Sequence, residues 1–248
     1  MRLLFLLLIL AGLLLFLLAC QSNNTDSAIA DKSTPSTSTT DIKFATYNVA
    51  LFRDRAGQLK RDLSSGRDSQ IQNVAAVIQS VRPDVLVLCE FDYDPSGKLL
   101  DLFQQKYLAT AQHRQETITY PYRMSFPSNT GVLSPVDLDG DGKIALPNDA
   151  YGYGRYEGQY AFALLSKYPI AAEELQSYQQ QLWSAMPEPK TPKLADGNPY
   201  YKKAVWDILR VSSKNHIAVP IVLPNEKKIY TLIAHPTPPV FDGPEDKN

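Results

Sequence analysis

Two side chains able to move a proton or hold a cation stand at the ends of apolar runs. Glu90 closes the run DVLVLC, and His235 closes IYTLIA ahead of the proline-rich stretch PTPP. A carboxylate at the end of a buried strand is costly unless it is solvated or paired, and a hard divalent cation such as Mg²⁺ is a common partner. The plain alternative is a solvated residue just past the strand. Imidazole titrates near neutral pH and serves as general acid or base, although a structural histidine is the commoner case. The other two histidines, His113 and His216, have no comparable setting. Asn48, towards the end of IKFATYNVALF, offers an amide that orients a carboxylate or a phosphate oxygen, or else caps a turn.

Two further stretches stand out. In DLDGDGK, Asp137, Asp139 and Asp141 with Gly142 match the opening of a calcium loop, but Asn148 and Asp149 stand where a bidentate glutamate belongs. A Ca²⁺-stiffened loop and an unmetallated Asp/Gly turn both fit. YGYGRYEGQY places Arg155, whose planar fork suits a phosphate, beside Tyr156 among glycines and aromatics. Those rings either wall a ligand or pack a loop.

These residues need elements to carry them. IKFATYNVALF alternates as a strand does. Ser69 and Gln72 form a capping box for a helix whose stripe is Ile71, Val74, Ala75, Ile78 and Val81, and Pro83 ends it. DVLVLCE reads as a strand covered on both faces, so strand, helix and strand suggest an α/β arrangement. A short helix is expected within 96–108, a long loop over 121–158, a strand in QYAFALLSKYPI and a surface excursion over 177–201. A strand pair is expected in RVSSKNHIAVPIVLP and KKIYTLIAH, turning at Asn225-Glu226-Lys227.

The N-terminus has a different character. Arg2, an apolar run from Leu3 to Ala19 and then Cys20 have the order of an export signal, and LLAC resembles a bacterial lipobox. Residues 1–20 are therefore expected to be a lipoprotein signal with Cys20 as the lipidated residue; the alternative is a transmembrane anchor. Residues 21–41, rich in Ser, Thr, Asn and Asp, are expected to be a disordered tether. This predicts an exported protein held to the cell envelope by lipid, at the periplasmic face of the outer membrane or the cell surface. Cys89, within an apolar strand, is expected to be a buried, inert thiol. A net charge of −1 and a pI near 6.3 weigh against tight, non-specific binding of nucleic acid.

Taken in order, TYNV, LVLCE, QYAFALLSKYPI and LIAHPTPPVFDG resemble the endonuclease/exonuclease/phosphatase superfamily, which includes the DNase I-like nucleases. The resemblance covers about residues 41–248, and HPTPPVFDG looks like its secreted bacterial branch. It implies a four-layer α/β sandwich, with two mixed sheets face to face and helices outside. It implies that Asn48 helps to place metal and phosphate, that Glu90 binds Mg²⁺ or Mn²⁺, and that His235 pairs with an aspartate and contacts the phosphate or helps to manage its proton. Arg155 and Tyr156 lie where the family often has substrate-contacting residues. The implied substrate is a phosphodiester or phosphomonoester, nucleic acid among the candidates, and no protein partner is evident.

The family's Asp-x-Asn and Ser-Asp-His motifs follow the histidine strand, whereas thirteen residues follow His235 here and contain neither. Residues 42–248 are accordingly expected to be a domain lacking its C-terminal part, with little or no turnover alone. The competing expectation is a catalytically incomplete surface lipoprotein that acts as a binding module.

Overall fold

The computed structural model describes residues 41–236; the expected signal, Cys20 and nearly all of the expected tether lie outside them. Strand β1 (Phe44–Leu51) leads through α1 (Gln58–Ser65) and α2 (Ser69–Val81) into β2 (Val85–Phe91). Helix α3 (Lys98–Phe103) runs on into a π-helical turn, Gln104–Leu108, followed by β3 (Tyr122–Phe126) and β4 (Phe162–Ser166). The last elements are β5 (Gln176–Ser177), the short helix α4 (Lys203–Trp206), β6 (His216–Val222) and β7 (Lys228–Ala234). Among the described residues no helix is long and apolar enough to cross a membrane.

The stripe on α2 forms the helix the spacing predicts, with Ile71, Val74, Ala75 and Ile78 buried. Its cap differs from the expected one. Asp68 caps it, accepting from the Ile71 amide at 3.0 Å, and Ser69 is already helical. A charged acceptor suits the amide end of a helix better than a hydroxyl does. The helix ends at Arg82, in a left-handed conformation, just before Pro83.

Strand order in the first sheet is β1-β2-β4-β3, with β1 and β2 parallel and the other pairs antiparallel. The second sheet, β5-β6-β7, is antiparallel throughout. It is therefore not mixed, as the resemblance implied; the tight turn from Leu223 to Lys227 joins β6 directly to β7 and can only reverse the chain.

Strand β2 is buried on both faces because it has two neighbours across its plane. Leu86 and Leu88 pack with Leu59, Leu63, Ile71 and Phe103 of the helices. On the other face, Val85, Val87 and Cys89 pack with Ile217, Val219 and Ile233 of the second sheet. Cys89 is a free, buried thiol, as expected. Helices, sheet and sheet make three layers of the expected sandwich. The outward face of β7, where a fourth layer would lie, carries Tyr230 and Leu232 at 52% and 79% exposure.

Helix α1 and strand β3 are among the elements that lie where no regular structure was expected. Helix α1 has only Leu59 and Leu63 as a buried stripe, too little apolar periodicity to read. Strand β3 lies within the expected long loop and, apart from Phe126, buries none of its residues fully, so no apolar alternation marks it.

Candidate active site

Period-two alternation along β2 would send Glu90 to the helix side with Leu86 and Leu88. It does not go there. Glu90 adopts φ 60°, a left-handed conformation uncommon for a residue with a Cβ. The alternation breaks at that point, so that Phe91 enters the helix-side core while Glu90 turns to the other sheet. Ala50 (φ 48°) and Tyr160 (φ 58°), on the flanking passes of the chain, are left-handed too, and the β1–β2 register slips between Asn48 and Leu51. Such strain costs about 1–3 kcal/mol per residue and concentrates at functional sites.

The displaced Glu90 meets His235, which leaves β7 of the second sheet: His235 Nε2 lies 3.9 Å from Glu90 Oε1, with about a fifth of each side chain exposed. The imidazole packs near Phe162, ring centroids 6.4 Å apart, and its Nδ1 is buried without a hydrogen-bond partner among the described residues. Burial lowers the His235 pKa below the usual 6.5, and Lys214 lowers it further while Glu90 opposes them. The ring is thus neutral at pH 7. Asn48 lies opposite Cys89 in the strand register, one residue from Glu90, and its Oδ1 accepts from the Ala50 amide at 3.1 Å. It props the bulge, so its turn-capping role is realised, and its amide stands exposed at the same strand end.

The Glu90 carboxylate has no hydrogen-bond donor among the described residues, so its oxygens are free for a cation. A half-buried, unbonded hard-oxygen donor fits Mg²⁺ or Mn²⁺, which keep several waters and take few protein carboxylates. Lys214, just before β6, completes the group. It is half-buried, and its charge acts on Glu90, Cys89 and His235. Nothing in RVSSKNH marked it, since a lysine beside a strand is ordinarily a solvated one.

The family model for the Endonuclease/Exonuclease/phosphatase family matches residues 45–245. The chain belongs to that family. No curated protein matches it. It is similar to an endonuclease/exonuclease/phosphatase family protein from Leptotrichia buccalis, at 14% identity and a TM-score of 0.37, covering 81% of this chain and 57% of that one. It is also similar to an endonuclease/exonuclease/phosphatase from Beutenbergia cavernae, at 14% identity and a TM-score of 0.33, covering 76% of this chain and 36% of that one. The chain thus spans under two thirds of either protein's length.

The other candidates in this endonuclease/exonuclease/phosphatase domain have polar partners of their own. Tyr156 is tied inward: its hydroxyl lies 2.6 Å from Asp92 Oδ2 and 2.8 Å from the Arg53 carbonyl. Asp92 is buried, and burial pushes its pKa up to about 6 although Tyr156 opposes the shift. Arg155 faces outward and pairs with Asp54 at 2.7 Å, in a shallow cleft it shares with Arg55, Gln58, Arg61 and Asp62.

In the DLDGDG loop the acids that converge are Asp137, Asp139 and Asp149, with ligand atoms within 4.8 Å of one another. Asp141 is outside the group; its carboxylate accepts from the Lys143 amide instead. Asp149 is drawn in because it accepts from the Leu138 and Ala145 amides at 2.6 and 2.8 Å.

Two glycines seat the loop that carries Tyr156, one against the segment just before β6 and one against Tyr156 itself. A Cβ on Gly152 would lie 1.8 Å from the Ser213 carbonyl, and one on Gly131 would lie 1.8 Å from the Tyr156 carbonyl. Gly152→Ala is expected to cost about 1–3 kcal/mol, read as a lower melting midpoint. An unchanged midpoint would mean that the loop is not seated there.

Proposed function

We propose that the chain is a metal-dependent phosphoesterase in which Glu90 holds Mg²⁺ or Mn²⁺ and His235 handles the phosphate and its proton. One observation carries this reading: strained backbone at Glu90 turns a carboxylate with no bonded partner among the described residues towards a histidine of the opposite sheet, 3.9 Å away. A structural carboxylate would need neither the strain nor the vacancy in its bonding.

When bound, the cation would supply Lewis-acid stabilisation of charge on the phosphoryl oxygens. The protein's part is positional and electrostatic. His235, neutral at pH 7, offers one ring nitrogen to a phosphate oxygen or to the proton of an attacking water. Asn48 offers amide donors at the strand end next to Glu90, and Phe162 packs near one side of the imidazole. Both a phosphodiester and a phosphomonoester suit this set. Family membership supports ester hydrolysis, while the choice of metal and substrate rests on the proposal.

Hydrolysis of bis(p-nitrophenyl) phosphate and p-nitrophenyl phosphate by residues 21–248 tests it. Turnover, of whatever size, should require Mg²⁺ or Mn²⁺ and vanish in EDTA. Turnover that persists in EDTA would sink the reading.

We further propose that Cys20 carries a lipid anchor that places this activity at the cell envelope, on the strength of its lipobox-like setting. Cys20→Ser should then move the protein from the detergent-soluble membrane fraction to the aqueous one. No change in partition would contradict it.

A further inference from the structure

We propose that Lys214 is a substrate-binding residue of the Glu90–His235 site, its ammonium taking a non-bridging oxygen of the phosphoryl group. The inference rests on the phosphoesterase reading and extends it to a residue outside the strand-end set. Three observations lead to it.

The backbone at Lys214 is held firmly. Its carbonyl accepts from the Asn129 amide at 2.8 Å, and its amide donates to Ser212 Oγ at 3.2 Å. Its neighbour Asn215 is fully buried and donates to the Pro127 carbonyl and to Ser177 Oγ. The side chain is therefore aimed by a fixed frame.

The ammonium makes no hydrogen bond or ion pair among the described residues, although it is half-buried. Desolvating a cation without a bonded partner is costly, and burial is the main influence on this one. Lysines on open surface avoid that cost by solvation.

Strand register puts this lysine beside the site: His216 pairs with Ala234, so Lys214, just before β6, and His235, just after β7, leave the sheet at the same end, and its charge reaches Glu90, Cys89 and His235. Among the described residues the carboxylate whose charge reaches it is Glu90, and that carboxylate is committed to the cation in the proposed function. An arriving phosphoryl group would give the ammonium the anionic partner it lacks, and lysine is a common point-charge binder of phosphate.

The test is binding of inorganic phosphate, by calorimetry, to residues 21–248 in EDTA and again in Mn²⁺, comparing wild type with Lys214→Met and Lys214→Arg. Lys214→Met should weaken phosphate at least ~10-fold in both conditions, while Lys214→Arg stays within a few-fold of wild type. Mn²⁺ affinity of Lys214→Met should be unchanged or tighter, because a repelling charge has gone. In the wild type, phosphate should also protect Lys214 from reductive methylation followed by mass spectrometry, a readout that needs no variant to fold.

A lysine that only neutralises Glu90 would alter Mn²⁺ affinity and leave phosphate binding as it was; that result, or a wild type that binds no phosphate, overturns the inference. The two readings fail separately. Phosphate binding that depends on Lys214 in a chain whose turnover persists in EDTA would sink the catalytic reading and keep the anion site. Metal-dependent turnover with phosphate affinity indifferent to Lys214 would do the reverse.

Discussion

Glu90→Gln is expected to remove Mn²⁺ from the strand-end site, and with it whatever metal-dependent phosphoesterase turnover the chain has, with little change in fold. The amide keeps the size of the side chain but loses the charge, and a hard cation bound through few protein oxygens depends heavily on that charge. Glutamine is the informative substitute because Glu90 makes no hydrogen bond among the described residues that an amide would break, and its left-handed backbone is already accommodated. A structural glutamate would give another pattern: a changed melting midpoint and unchanged Mn²⁺ binding. Retained turnover in Glu90→Gln would place the metal, or the chemistry, elsewhere.

Asp92→Asn is expected to stabilise the metal-free protein at pH 8 by about 3 kcal/mol. The Asp92 pKa is pushed from 3.8 to about 6 in the folded state, and each pH unit corresponds to about 1.4 kcal/mol. The geometry gives the same sign independently. The Tyr156 hydroxyl accepts from the Arg53 amide at 3.4 Å and has one proton for two acceptor neighbours, the Arg53 carbonyl at 2.8 Å and Asp92 Oδ2 at 2.6 Å. Both contacts become hydrogen bonds only if Asp92 is protonated and donates to the phenol oxygen, which an asparagine amide can imitate.

Since the folded pKa lies above the unfolded one, the stability contributed by the neutral acid is complete below pH 3.8 and is lost as pH rises through about 6. His235 acts in the opposite sense. Its folded pKa is lowered, so its contribution is lost as pH falls through the unfolded value of 6.5 towards the folded one. Subtracting the Asp92→Asn curve from that of the wild type, both measured in EDTA by denaturant unfolding, isolates the Asp92 contribution. An Asp92→Asn protein less stable than wild type at pH 8 would show that the ionised acid is the stabilising form.

Glu90 and His235 were legible because polar residues that terminate apolar strands break a strong pattern. Strand β2 and helix α2 were legible for a similar reason: continuous apolar character and a stripe at helical spacing both survive without tertiary context. The direction of Glu90 was not. Strict alternation points it to the helix side, and only the left-handed turn, which no glycine announces, sends it to His235.

Lys214 and Asp92 went unread for another reason. Their chemistry comes from desolvation by distant segments, and one lysine or aspartate near a strand looks like any other until its burial is known. The Asp-rich loop shows the limit of motif spacing. Asp137 and Asp139 converge as expected, but backbone amides recruit Asp149 as the third acid and leave Asp141 outside.

The central claim is that Glu90 is the carboxylate that holds a divalent cation. Anomalous diffraction from crystals soaked in Mn²⁺ tests it most directly. The account predicts a peak about 2.0–2.2 Å from a Glu90 carboxylate oxygen, on the side facing His235, and its loss in Glu90→Gln. A peak at Asp137, Asp139 and Asp149 with none at Glu90 would contradict it.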